Sequence, residues 1–161
     1  MSFCDECLRK IEHRIQELNS MNRTITDHKV NGLNEELHIK AVDEPGAGGA
    51  NHIYSIAYGL NPGTDVGGSQ EKCRIEFQNG PIKEAGVNGI SNEALLAVAI
   101  DRLRGFQFQR KEDGSFDEAK RGTYACKENA CALTHLEEAL MWLQSRTHKR
   151  MARGVEGTMK A

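Results

Sequence analysis

The sequence predicts an α+β fold: an N-terminal amphipathic helix, a small antiparallel sheet and then a long antiparallel helical hairpin. Three observations support this fold class. Between residues 37 and 87, short alternating apolar and polar stretches are separated by Gly- and Asn-containing turns, which is typical of paired strands. Residues 91–105 and 124–158 repeat apolar residues at helical spacing. The first twenty residues carry an apolar repeat of coiled-coil type at Leu8, Ile11, Ile15 and Leu18.

Length and composition restrict the classes of function. The 161 residues predict a single domain with an N-terminal helix and linker (1–35), a β-rich part (36–90) and a helical hairpin (91–158). A hydrophobic content of 39% with 6% aromatic residues favours a small core and a homo-oligomer. A net charge of −2 argues against a general DNA-binding protein. We expect no membrane span, and five cysteines without a secretion signal predict a cytoplasmic protein.

Four segments of the β-rich part are predicted as strands because they alternate or are rich in β-branched and aromatic residues. They are Leu37–Val42, His52–Tyr58, Cys73–Phe77 and Ile82–Val87. Residues 22–34 are polar, with a turn at Asn31-Gly32, and residues 60–71 form another predicted loop. The glycine-rich stretch 43–51 is predicted to be a connecting loop. It is not a P-loop, because no Gly-Lys-Ser/Thr follows it.

Two helices are predicted in the C-terminal half. Ser91 is a good N-cap, and the helix that follows carries a strongly apolar face that ends near Gly105. The second helix has a leucine stripe at Leu133, Leu136, Leu140 and Leu143, so the two apolar faces are predicted to pack together. Between the helices, the polar insertion at 108–122 is predicted to be a surface segment with little internal structure.

The residues offer little for catalysis or metal binding. Cys4 and Cys7 form a lone C-x-x-C, and a zinc site would need a second pair of ligands. Six histidines are scattered without a recognisable nucleophile signature. Glu137 and Glu138 are adjacent on a helix and therefore point in different directions. We predict no catalytic residue and no metal ligand.

The clearest chemical feature is a group of arginines at the end of the second helix. Arg146, Arg150 and Arg153 are spaced so that a continuing helix would present all three on one side. Their planar guanidinium groups suit phosphate oxygens. The alternative is a solvated helix end, where cations favour the negative end of the dipole. In an oligomer that brings several such ends together, the arginines would repel one another unless an anion lay among them.

Two stretches carry a recognisable pattern, IEFQNGPIKEAGVNGISNEALLAVAIDRLRGFQ (Ile75–Gln107) and YACKENACALTHLEEALMWLQSRTHKRMARGVEGT (Tyr124–Thr158). Over residues 73–158 the chain resembles the phage Thoeris anti-defence sponge family. Its helical hairpin is similar to that of the anti-CBASS cyclic-oligonucleotide sponges. The resemblance implies a protein without enzymatic activity or cofactor that acts in the cytoplasm of the infected bacterial host.

The resemblance also implies the ligands and the assembly. Such sponges bind a cyclic ADP-ribose isomer made by a bacterial TIR immune enzyme, here the 1″–2′ or 1″–3′ glycocyclic form, and hold it away from its effector without cleaving it. Some members bind cyclic trinucleotides at a separate site. The assembly that the resemblance implies is a hexamer built from dimers.

Site residues follow from the matching motifs. The family's D-R-x-x-x-F-Q pattern falls on Arg102, Phe106 and Gln107, and the asparagine of its A-C-x-E-N pattern falls on Asn129. The resemblance implies that these four residues contact the cyclic ADP-ribose isomer. It also implies that Arg146 and Arg150, together with Arg153, serve a cyclic-trinucleotide site.

This chain departs from the family pattern by an insertion of about a dozen residues between Phe106 and Asn129, judged against the usual length of short loops. The insertion repeats Phe-Gln, so Phe108 is an alternative to Phe106 as the ligand contact. Two other functions stay open. One is an enzyme that degrades the same signal with Glu128 or His135 as general base; the other is a phage structural or regulatory protein that binds no small ligand.

Overall fold

A computed structural model describes residues 9–10, 23–58 and 70–159, and of residues 70–72 it describes only the backbone. Contacts group residues 1–80 and 81–161 into two compact units. The predicted N-terminal helix and the Cys4–Cys7 pair lie outside the described residues, apart from Arg9 and Lys10, which are helical. The prediction of a single domain with three parts stays a prediction.

The first unit contains a four-stranded antiparallel sheet with the strand order β1-β2-β3-β4. Its strands are β1 (Arg23–Ile25), β2 (Leu37–Ala41), β3 (Ile53–Tyr58) and β4 (Gln70–Glu76). Ile39 pairs with Ile25 on one side and with Ile56 on the other, which places three isoleucines in one row across the sheet. The predicted strands at 37–42, 52–58 and 73–77 are therefore confirmed.

The polar segment before β2 is more structured than predicted. It contains strand β1 and a single helical turn, α1 (Gly32–Glu35). The Asn31 side chain caps this turn by accepting a hydrogen bond from the amide of Asn34 at 3.0 Å. The predicted turn at Asn31-Gly32 is thus the start of a helical turn.

The glycine-rich loop between β2 and β3 is closed by the Asp43 carboxylate. This group accepts hydrogen bonds from the amides of His52 at 2.7 Å and Ile53 at 3.0 Å. Burial raises the pKa of Asp43, but the two amides, its own backbone and the nearby imidazole of His52 outweigh that effect and hold the pKa below its ordinary value of 3.8. A Cβ atom on Gly46 would lie 2.8 Å from Asn79, so the loop is also packed closely.

We expect Asp43→Asn to lower the free energy of unfolding by about 1–3 kcal/mol near neutral pH, because one of the two amides loses its charged acceptor. The contribution of the Asp43 carboxylate to the free energy of unfolding is present above pH 3.8. It is lost as the pH falls through the lower pKa that Asp43 has in the folded protein. Thermal unfolding of both proteins, followed by circular dichroism over a pH series, measures this. An equal difference between them at all pH values would contradict the assignment.

The second unit begins with a correction. Residues 82–87 were predicted as a returning strand, but Ile82–Ala85 form a helical turn, α2. The carbonyl of Pro81 accepts hydrogen bonds from the amides of Glu84 and Ala85, and Gly86 ends the turn with a φ of 70°. Proline before a run of helix-favouring residues and glycine after it are typical helix start and stop signals.

Two long helices follow, α3 (Asn92–Gln107) and α4 (Lys127–Ala152). Ser91 caps α3 as predicted, its hydroxyl accepting from the amide of Ala94 at 3.1 Å. Ile100 on α3 and Leu133 on α4 are buried, at 4% and 5% exposure. Together with the antiparallel sheet, this helical hairpin confirms the predicted α+β class.

The polar insertion is also a correction, because it forms a second antiparallel sheet of strands β5 (Phe108–Arg110) and β6 (Phe116–Arg121). The turn between them has Gly114 at a φ of 85° and Asp113 accepting from both the amide and the hydroxyl of Ser115. The Arg110 guanidinium lies 4.4 Å from the centre of the Phe116 ring. These contacts give the segment an order that its composition does not indicate.

Candidate functional site

A cluster of aromatic, cationic and amide side chains lies where α3 ends and α4 begins. Arg102 and Phe106 are four residues apart on α3 and therefore share a face. The Arg102 guanidinium carbon lies 4.9 Å from the centre of the half-buried Phe106 ring. Tyr124 meets the same ring edge to face, with 6.1 Å between the ring centres.

Asn129 joins this cluster through the start of α4. Cys126 is the N-cap, and its sulfur accepts from the amide of Asn129 at 3.4 Å. One turn into the helix, Asn129 donates from Nδ2 to the backbone carbonyl of Tyr124 at 3.2 Å. Within the described residues Oδ1 of Asn129 makes no hydrogen bond, so the amide keeps an acceptor for a ligand.

Gln107 has a different position from the other three predicted contacts. Its side-chain oxygen is buried, and it has no hydrogen-bond partner among the residues that the structure describes. Its backbone carbonyl accepts from the amide of Gly122 at 2.9 Å. The backbone of Gln107 therefore ties the end of α3 to the base of the β5–β6 hairpin, and its predicted contact with the ligand stays a prediction.

The cluster offers the contacts that a purine nucleotide needs. Aromatic rings stack on bases, a guanidinium group pairs with phosphate, and a carboxamide bonds to a base edge or a ribose hydroxyl. Tyr124, which is 72% exposed, belongs to this group although it was not among the predicted site residues. The available signal in the sequence was an aromatic residue five positions before Asn129, just ahead of α4.

The arginines at the end of α4 are not presented together. Arg150 turns back to the following chain and bonds to the Glu156 carboxylate at 3.0 Å and to the carbonyls of Val155 and Thr158. Arg153 caps the helix end and bonds to the carbonyl of Lys149 at 3.4 Å. Arg146 is exposed. The assignment of these arginines to a trinucleotide stays a prediction.

Other candidate groups lie on the surface. His135 is paired with Glu138 at 3.2 Å and is 77% exposed, and Glu128 is exposed in the first turn of α4. In residues 9–10, 23–58 and 70–159, no group of three or more His, Cys, Asp or Glu side chains is placed to hold a metal ion. Within these same ranges no helix is long and apolar enough to cross a membrane.

Comparison with known proteins agrees with the resemblance found in the sequence. Residues 69–147, a little under half of the chain, match the family described as Acb2/Tad1, hairpin domain. The chain is also 48% identical over 84 residues to Thoeris anti-defense 1 of Bacillus phage SBSphiJ7. That alignment covers 52% of this chain and 50% of the relative, so the chain spans about half the length of the curated relative. The cluster of Arg102, Phe106, Tyr124 and Asn129 lies inside the matched range, whereas Arg150 and Arg153 lie beyond it.

Proposed function

From the match of residues 69–147 to the Acb2/Tad1 hairpin domain family, we propose that the protein is a phage anti-defence sponge. It binds glycocyclic ADP-ribose produced by a bacterial TIR immune enzyme and holds it without cleaving it, which withholds the signal from its Thoeris effector. It acts in the cytoplasm of the infected host and needs no cofactor. Sequestration of this kind requires affinity high enough to outcompete the effector.

The observation that carries the proposal is the arrangement of Phe106, Arg102, Tyr124 and Asn129 at the junction of α3 and α4. An aromatic ring, a guanidinium group and a carboxamide with a free acceptor are brought together from two helices. These are the groups that hold an adenine, a diphosphate and a ribose hydroxyl.

The proposal includes a homo-oligomer, a hexamer built from dimers. Large apolar side chains are exposed on both long helices, with Val98 on α3 at 69% and Met141 and Trp142 on α4 at 60% and 73%. Burial of such side chains between subunits would add to a core that is small within the described residues. Analytical ultracentrifugation measures the oligomeric state.

Calorimetric titration of the purified protein with 1″–2′ and 1″–3′ glycocyclic ADP-ribose tests the proposed function. Afterwards the complex is heated and the released ligand is analysed by chromatography. Tight binding with recovery of intact ligand supports a sponge and identifies the preferred isomer. Loss of the ligand would make the protein an enzyme, and absence of binding to either isomer would reject the proposal.

A second part of the proposal places a cyclic trinucleotide near Arg146 and Arg153. Both arginines are exposed, and within the described residues neither forms an ion pair with a carboxylate. Arg150 contributes by fixing the chain from Val155 to Thr158 beside the helix end. An oligomer that assembles several such ends would concentrate positive charge at one place.

We expect Arg146→Ala to abolish trinucleotide binding and to leave the affinity for glycocyclic ADP-ribose unchanged. The reason is that Arg146 lies on α4 well beyond Asn129, more than four helical turns along the helix. Titration of the variant with both ligand classes measures this, and Lys149→Ala serves as a control of equal charge. An unchanged trinucleotide affinity in Arg146→Ala would reject the second site.

A further inference from the structure

The arginines of the second unit differ in whether a carboxylate neutralises them. Among the described residues three form ion pairs, namely Arg104 with Glu137, Arg110 with Asp101 and Arg150 with Glu156. Within the described residues Arg102, Arg121, Arg146 and Arg153 have no carboxylate partner. Of these, Arg102 and Arg121 lie in the region of the aromatic cluster. Arg102 contacts the Phe106 ring, and Arg121, the last residue of β6, donates to the carbonyl of Ala125 next to Tyr124.

The position of Arg121 is set by the base of the β5–β6 hairpin. Its backbone pairs with Phe108, and the next residue, Gly122, donates from its amide to the carbonyl of Gln107 at 2.9 Å. The exposed Arg121 side chain extends towards α4 and donates from Nη2 to the carbonyl of Ala125 at 3.1 Å. Ala125 directly follows Tyr124, so the guanidinium group lies beside the loop that carries this ring.

The hairpin is fixed to α3 and is therefore able to hold this position. Arg110 is stacked on Phe116, donates to the carbonyl of Gly114 at 2.7 Å and lies 3.9 Å from the Asp101 carboxylate of α3. One arginine of the hairpin thus has a structural role. At the other end, the Arg121 side chain makes one hydrogen bond within the described residues and keeps its remaining N–H donors.

We propose that Arg121 binds the diphosphate of the cyclic nucleotide, so that the β5–β6 hairpin supplies a second cation to the site. This inference rests on the proposed function. A diphosphate diester carries two negative charges. Arg102 and Arg121, which have no carboxylate partner among the described residues, supply two positive charges around the Phe106–Tyr124 pair. A guanidinium group that already donates to a carbonyl is partly preorganised, so it loses less conformational freedom when it meets a phosphate.

The test compares Arg121→Ala with Lys111→Ala in the full-length protein by titration with the glycocyclic ADP-ribose isomer that the wild type prefers. Lys111 lies at the turn of the same hairpin and carries the same charge, which makes it a matched control. We expect Arg121→Ala to weaken binding roughly 10- to 100-fold, as for loss of a hydrogen bond to a charged group, and Lys111→Ala to have little effect. Arg121→Lys should recover part of the affinity because it restores the charge without the planar fork.

The dependence of affinity on salt separates direct phosphate binding from a structural role. Loss of a phosphate contact makes the affinity of Arg121→Ala less sensitive to added salt than that of the wild type. The inference would be overturned if Arg121→Ala bound the ligand more weakly but with the same salt dependence as the wild type. It would also be overturned if the two alanine variants weakened binding equally. Either result would leave the sponge function intact. A wild type that binds neither isomer would overturn both.

Discussion

Gly122→Ala is expected to lower the free energy of unfolding by about 1–3 kcal/mol, the range found when extra carbon atoms are forced into a packed site. A Cβ atom at this position would lie 2.5 Å from the carbonyl oxygen of Phe106 and 2.9 Å from that of Phe108. Both obstacles are backbone atoms, which cannot rotate away as a flexible side chain can. The base of the hairpin must therefore separate from the end of α3.

The same substitution is expected to weaken ligand binding, since the displaced backbone carries the Phe106 ring. Gly105→Ala is the matched control, one residue before Phe106 on α3. A Cβ atom there would meet only the Phe116 ring at 3.9 Å, an ordinary contact. In a helix interior, alanine is favoured over glycine by about 1 kcal/mol, so this variant should be more stable than the wild type.

Thermal unfolding and ligand titration of the two variants measure these effects. The decisive comparison is the sign of the change in stability, because both substitutions add the same single carbon atom within the same unit. A Gly122→Ala protein as stable as Gly105→Ala would show that the hairpin base tolerates displacement. The close packing of Gly122 against Phe106 and Phe108 would then have no consequence for the site.

The sequence predicts the helices and the main sheet well because their signals are local and periodic. Ser91 followed by an apolar helical repeat specifies the start and the buried face of α3, and alternation specifies β2 and β3. The helical turn at Ile82–Ala85 was misassigned although its signals were present. Pro81 and Gly86 enclose a run that favours a helix. The segment Ile82–Val87, however, begins and ends with an apolar residue, which also suggested a strand.

The β5–β6 hairpin could not be recognised from strand propensity. Strand β6 reads FDEAKR, in which most residues are depleted in sheets. Its order comes from Arg110 over Phe116, from the pairing of Arg110 with Asp101 and from the Asp113 turn. The first is a cross-strand contact within the hairpin, and the second is a tertiary contact with α3; neither is visible in strand propensity. The third was a legible turn signal in Asp-Gly-Ser.

The candidate site, like the fold, could be predicted from the sequence only in part. Phe106 and Asn129 are more than twenty positions apart, and residue spacing alone does not predict that they share a site. The resemblance to a family predicted it. What the structure adds is Tyr124 between them, since its ring meets Phe106 and its carbonyl accepts from Asn129. A contact that passes through the backbone of a third residue leaves no periodic pattern in the sequence.

Phe106→Ala is expected to weaken binding of glycocyclic ADP-ribose roughly 5- to 150-fold, corresponding to the 1–3 kcal/mol found when a stacked aromatic residue is removed. The substitution removes the ring that Arg102 and Tyr124 both contact, so it takes away the stacking surface and loosens two neighbours. Phe106→Tyr keeps the ring and should retain most of the affinity. Titration calorimetry of both variants, with thermal unfolding as a check on folding, measures the effect.

Phe108→Ala is the control that decides between the two phenylalanines of the repeated Phe-Gln pair. Phe108 is half-buried at the start of β5, and its backbone pairs with Arg121, whereas the Phe106 ring lies between a cation and a second aromatic ring. If Phe106 is the stacking residue, Phe108→Ala lowers stability through the hairpin but leaves the affinity of the folded protein near that of the wild type. A larger loss of affinity in Phe108→Ala than in Phe106→Ala would transfer the ligand contact to the hairpin. Because β5 begins at Phe108, the site would then be centred on the inserted sheet, with the end of α3 as its support.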